Sequence, residues 1–142
     1  MALTKTPSCE IDKKMSSFTL MSTSDELIKS DDIVGKNGTV IMFICNHCPY
    51  VIAIIKELVL TAKKLQTIGI SSAAIMPNDY KNYPDDCFEK MKVFSDQNQF
   101  CFPYLLDDTQ EVAKNFGAVC TPDFFGYDSD LKLQYRGRLA KI

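Results

Sequence analysis

Cys45-Asn46-His47-Cys48 sets two thiols three positions apart, with the only histidine of the chain between them. Two cysteines at this spacing in the first turn of a helix can close and reopen a disulfide with little backbone movement. The flanking residues supply that setting. Thr39 to Cys45 is apolar and rich in β-branched residues, which predicts a strand buried on both faces of a parallel-type sheet. From Pro49 to about Gln66, Val51, Ile54, Ile55, Leu58, Val59, Ala62 and Leu65 recur at helical spacing. Pro49 falls in the first turn, where its missing N–H does no harm. Chemistry in open α/β sheets gathers at the carboxyl ends of such strands. A thiol there also meets unpaired helix N–H groups and about half a positive charge, both of which favour thiolate. The sequence therefore assigns Cys45 as a low-pKa, solvent-reachable nucleophile and Cys48 as the buried resolving thiol. His47 is read as tuning the pair, its imidazole stabilising the Cys45 thiolate.

A binding reading treats Cys45, His47 and Cys48 as soft ligands for copper or zinc. Tetrahedral zinc needs a fourth ligand, and no second Cys/His cluster supplies one. The expectation is thus no metal and no cofactor. Haem attachment does not fit, because the histidine precedes the second cysteine.

The elements that position this motif alternate. Phe18 to Leu20 reads as a short strand, Ser72 to Met76 as a strand, and Pro84 to Gln97 as a helix with acids in its first turn. Phe102 to Leu106 is a third core strand, and Asp108 to Phe116 a short helix stopped by Gly117. Asp123 to Tyr127 and Leu131 to Leu139 flank Asp128-Ser129-Asp130 as a hairpin. This order predicts α/β with a mixed sheet.

At 142 residues the chain reads as one domain, 1–142, and six cysteines are too few for a disulfide scaffold. A net charge of −2 excludes a basic nucleic-acid footprint. No apolar run approaches the ~18–20 residues of a membrane span, and the N-terminal stretch lacks a signal-like apolar core, so the expected location is cytoplasmic.

Val40-Ile41-Met42-Phe43-Ile44-Cys45-Asn46-His47-Cys48-Pro49-Tyr50, together with Cys120-Thr121-Pro122-Asp123-Phe124-Phe125, resembles the thioredoxin superfamily. The likeness is to the peroxiredoxin-like, AhpC/TSA-related proteins of bacteria. Asn78-Asp79, Phe102-Pro103-Tyr104 and Gln110-Glu111-Val112-Ala113 extend it over roughly residues 15–139. The resemblance implies a thioredoxin-like fold, a central mixed sheet flanked by helices. It also implies a cis-proline at Thr121-Pro122 that binds substrate opposite the thiol pair, and brings Cys120 close enough for an accessory thiol role. The helix that usually closes the fold is missing after the last strand, which predicts an apolar sheet face and a homodimer through it.

The pattern departs from true peroxiredoxins, whose Pro-x-x-x-Thr-x-x-Cys binds peroxide. The residues before Cys45 are apolar, with neither the proline nor the threonine, and the only arginines are Arg136 and Arg138. Thr39 stands where thioredoxins carry a buried acid, so the resolving proton must use another group or water. The leading expectation is a thiol–disulfide oxidoreductase acting on a disulfide-containing protein or a small thiol or disulfide. The alternative is a thiol peroxidase that forms a sulfenic acid at Cys45. A cationic His47 would make the pair more oxidising than thioredoxin's approximately −270 mV.

Overall fold

The computed structural model describes residues 2–3, 11–77, 84–118 and 121–140. Cys9, Asn78, Asp79 and Cys120 lie outside them, and with Cys120 the accessory-thiol expectation. The described strands are β1 (Ala2–Leu3), β2 (Thr19–Ser22), β3 (Leu27–Lys29), β4 (Gly38–Phe43), β5 (Ile70–Met76), β6 (Tyr104–Leu106), β7 (Asp123–Tyr127) and β8 (Leu133–Ala140). The helices are α1 (Pro49–Thr67), α2 (Phe88–Gln97) and α3 (Glu111–Phe116). All strands join one mixed sheet in the order β1-β8-β7-β4-β5-β6-β2-β3.

β4 lies at the centre because it is apolar on both faces. It runs parallel to β5 and antiparallel to β7. Successive side chains point to opposite faces of a strand. Ile41 and Phe43 accordingly pack with Phe125, Leu133 and Phe116 of α3, whereas Met42 and Ile44 pack with Val51, Ile55 and Val59 of α1 and Met91 of α2. Phe43 and Leu133 thus share one face. Phe124 is half-buried on the other, beside an apolar groove of about 160 Å³ that Val40, Met42, Leu58 and Leu65 line. β8 is the last element among the described residues, and no described helix is long and apolar enough to cross a membrane.

Several boundaries differ from the sequence reading, each for a local reason. The segment from Pro84 is not one helix: a 3₁₀ turn at Pro84–Asp86 is followed by Cys87 in extended conformation, and α2 starts at Phe88. α3 starts at Glu111 because Gln110 is left-handed at φ 62°. Its first turn is held from behind by buried Asp107, whose carboxylate accepts the N–H groups of Val112 and Ala113 at 3.3 and 2.9 Å. Leu131, at φ 62°, delays β8 to Leu133. The hairpin turn uses Asp128 in place of Asn-Gly: its carboxylate accepts the N–H groups of Asp130 and Lys132. β3 was not anticipated. It pairs with β2, which β6 holds from the other side, so the polar N-terminal region extends the sheet.

Candidate active site

Cys45 follows β4, and Cys48 is the N-cap of α1 with extended backbone (φ −65°, ψ 122°). Both cysteines are thiols here, and they lie 4.3 Å apart. Across from them the Thr121–Pro122 peptide is cis. Thr121 touches both thiols: its hydroxyl lies 3.4 Å from the Cys45 sulfur, and its carbonyl accepts from the Cys48 thiol at 3.5 Å.

The turn between the cysteines is fixed by groups that are distant in sequence. Asn46 N–H donates to Asp86 Oδ1 at 2.9 Å, and its side-chain amide donates to the Asp85 carbonyl at 3.0 Å. Tyr104, buried in β6, donates its hydroxyl to Asn46 Oδ1 at 2.7 Å, and burial holds that phenol well above its ordinary pKa. His47 Nδ1 lies 2.8 Å from Asp86 Oδ2, with the Asp86 side chain fully buried and that of His47 37% exposed. A groove of about 380 Å³, bordered by Asn46, His47, Lys90, Val93 and Phe94, opens beside the turn.

Residues 11–136 match the AhpC/TSA family. The chain belongs to that family. Its fold is thioredoxin-like, and its family is one of thiol-based oxidoreductases. An uncharacterized conserved protein of known structure from Geobacillus kaustophilus is 40% identical at a TM-score of 0.91, covering 100% of this chain and 76% of that one. A hypothetical protein from Sinorhizobium meliloti is 31% identical at a TM-score of 0.90, covering 98% and 76%. A secreted disulfide oxidoreductase from Mycobacterium tuberculosis, 17% identical at a TM-score of 0.70 over 83% of this chain and 81% of its own, shares the fold alone. Among curated proteins no relative matches the chain.

This AhpC/TSA-family chain corrects the sequence reading of its two thiols. Cys45 is not solvent-reachable in the resting reduced form, being 1% exposed, whereas Cys48 is only half-buried. Nor is the Cys45 pKa low: burial pushes the thiol up to about 11, the Thr121 hydroxyl pulls it down, and the negative charge of Asp86 pushes it up again. His47 Nδ1 lies 2.8 Å from the buried Asp86 carboxylate, a neighbour that the sequence reading did not give it. The decisive residue that the sequence reading missed is Asp86. In the sequence Asp85 and Asp86 read as first-turn helix acids; the break at Cys87 turns Asp86 into the site instead.

The donor set for a metal differs as well. One ligand atom each from Cys45, His47 and Asp86 lie within 4.8 Å of one another, a set that could hold a soft or borderline cation. Asp86 replaces Cys48 in the trio named from sequence. Asp86 Oδ1 already accepts from Asn46 N–H, and Oδ2 lies 2.8 Å from His47 Nδ1.

These positions set an expected order of labelling. With a pKa near 11, Cys45 is about 10⁻⁴ thiolate at pH 7, and its alkylation should climb about tenfold per pH unit through the alkaline range. Iodoacetamide at pH 7, read by peptide mass mapping, should modify Cys48 before Cys45. Preferential labelling of Cys45 at neutral pH would contradict the buried, protonated state.

Proposed function

We propose that the protein is a thiol–disulfide oxidoreductase in which Cys45 is the nucleophile and Cys48 resolves the mixed disulfide. The observation that carries this reading is the pair of thiols 4.3 Å apart, both in contact with Thr121. The order of the two follows from their partners. A hydroxyl can donate to sulfur, so the Thr121 contact can serve Cys45 as thiolate. A carbonyl can only accept, so its contact with Cys48 requires the S–H form. Thr121, half-buried beside both sulfurs, is the residue that an incoming substrate segment would meet. Since Cys45 is 1% exposed, the substrate must itself uncover the sulfur that attacks it.

Peroxide turnover is disfavoured by what surrounds the pair. The residues leading to Cys45 are the fully buried Phe43 and Ile44, which offer a peroxide no side-chain hydrogen bond. Arg136 is committed elsewhere, to Asp123 and the Gly117 carbonyl. Reduced protein should therefore exchange rapidly with an aromatic reporter disulfide and react slowly with hydrogen peroxide. Fast sulfenic acid formation at Cys45, with slow exchange, would transfer the protein to the peroxidase class. The substrates that fit are disulfide-containing proteins or small disulfides.

A further inference from the structure

Cys45, His47 and Asp86 bring a sulfur, a ring nitrogen and a carboxylate oxygen within 4.8 Å of one another. Among the described residues no other three Cys, His, Asp or Glu side chains come as close. Two of the three are shut away from water, Cys45 at 1% exposure and Asp86 at 0%. Both are anionic as ligands, and buried charges are paired or coordinate metals. In the sequence Cys45 and His47 stand together; the turn before α2 adds the carboxylate.

That carboxylate is held in place independently of the thiol. Asp86 Oδ1 accepts from Asn46 N–H at 2.9 Å, and Asn46 is itself fixed by Tyr104 and by the Asp85 carbonyl. Oδ2 lies 2.8 Å from His47 Nδ1. Hydrogen bonds that orient a ligand from behind are part of what makes a metal site.

We propose that the reduced protein binds one zinc ion through Cys45 Sγ, the His47 imidazole and the Asp86 carboxylate. The donors are mixed, one soft, one borderline and one hard. Zn²⁺ accepts all three, whereas Mg²⁺ and Ca²⁺ ask for oxygen and Cu⁺ for sulfur. The charges balance as well: one thiolate and one carboxylate against the two of the ion, with a neutral imidazole. In a tetrahedron at ordinary zinc distances the nitrogen and oxygen sit about 3.4 Å apart, so the 2.8 Å contact of His47 and Asp86 must open. His47, 37% exposed at its side chain, has room to turn. Binding displaces the Cys45 proton. Cys48 stays outside the set, its thiol on the Thr121 carbonyl at 3.5 Å, and the fourth position falls to water or a small thiol.

Zinc on Cys45 also regulates the pair, a consequence that rests on the oxidoreductase reading. The sulfur lone pair that would attack a disulfide is shared with the metal. In a Cys45–Cys48 disulfide no thiolate remains to hold the ion. Metal and disulfide are therefore alternative states of one site.

The test is a titration of reduced, EDTA-stripped protein with Zn²⁺ against a chromophoric chelator, free of added thiol. Reduced wild type should take up one equivalent, and the oxidised protein none. His47→Gln and Asp86→Asn should each weaken binding more than about 100-fold, since even residues that merely orient a zinc ligand are worth about 10–100-fold. Cys48→Ser and Cys87→Ser should bind as wild type does. Co²⁺ in place of zinc should show a thiolate-to-cobalt charge-transfer band that survives Cys48→Ser and disappears in Cys45→Ser. Thermal melting of the metal-free variants checks folding, and His47→Gln, at a partly exposed position, carries the test if Asp86→Asn does not fold. Unchanged affinity in His47→Gln means an adventitious ion only and overturns the site. Loss of binding in Cys48→Ser means a plain dithiol chelate and overturns it too, as does zinc uptake by the oxidised protein.

One equivalent of zinc should stop exchange with a reporter disulfide, and EDTA should restore it. Protein that binds zinc as described but exchanges no disulfide when metal-free refutes the oxidoreductase reading and leaves the site standing. Protein that exchanges rapidly and takes up no zinc refutes the site alone.

Discussion

Cys45→Ser is expected to reduce disulfide exchange to background, a loss of at least about 10³-fold; removal of a catalytic nucleophile in a serine protease costs about 2 × 10⁶. Cys48→Ser should behave differently. It keeps the attacking thiol, releases one equivalent of reporter thiol in a burst, and then stalls as a mixed disulfide on Cys45. The asymmetry follows from Thr121, which offers a hydroxyl to one sulfur and a carbonyl to the other. It is compatible with faster alkylation of Cys48 at rest. A small reagent samples exposure, and Cys48 is the more exposed thiol, whereas a bound disulfide meets whichever sulfur can shed its proton where the substrate lies. Stopped-flow measurement of both variants separates the roles. A burst from Cys45→Ser, with none from Cys48→Ser, would reverse the assignment.

The alternation of apolar strands and amphipathic helices made the fold legible, and the CxxC position at the end of β4 made the thiol pair legible. Both depend on contacts between residues close in sequence or on patterns of period two and 3.6. The electrostatics of the site did not yield to the same reading. Asp86 and Tyr104 reach the Cys45-to-Cys48 turn across 40 and 58 residues, and nothing in their local spacing distinguishes them from an ordinary helix acid and a core aromatic. Helix N-terminus and histidine arguments predict a depressed thiol pKa when the thiol is wet. Here Cys45 is dry and faces a buried carboxylate, so desolvation and like charge win. Arg136 shows the same limit. It reads as a late-strand residue in the sequence, yet it reaches back to the residue that follows Pro122.

That contact has the second large expected effect. Arg136, 7% exposed at its side chain, lies 3.3 Å from the fully buried carboxylate of Asp123 at the start of β7. It also donates to the Gly117 carbonyl at the end of α3, and its guanidinium stacks 4.9 Å from the centre of the Phe125 ring. One side chain thereby ties β8 to β7, α3 and the segment that carries Thr121 and Pro122. A buried ion pair contributes little net stability when whole, because desolvation offsets attraction, but removing one partner withdraws compensation from a buried charge, at a cost of about 3–5 kcal/mol. Arg136→Met retains most of the apolar volume and removes the charge together with the hydrogen bond to Gly117 and the stack on Phe125. Urea unfolding should show a loss in that range, and the melting temperature should fall by roughly 10 °C for a chain of this size. Adding Asp123→Asn to Arg136→Met should recover part of the loss, since the carboxylate that made the single variant costly is gone. A single variant within about 1 kcal/mol of wild type would mean that water or a rearranged neighbour satisfies Asp123. The expected non-additivity is itself diagnostic: two residues in direct contact couple, and independent packing losses would simply add.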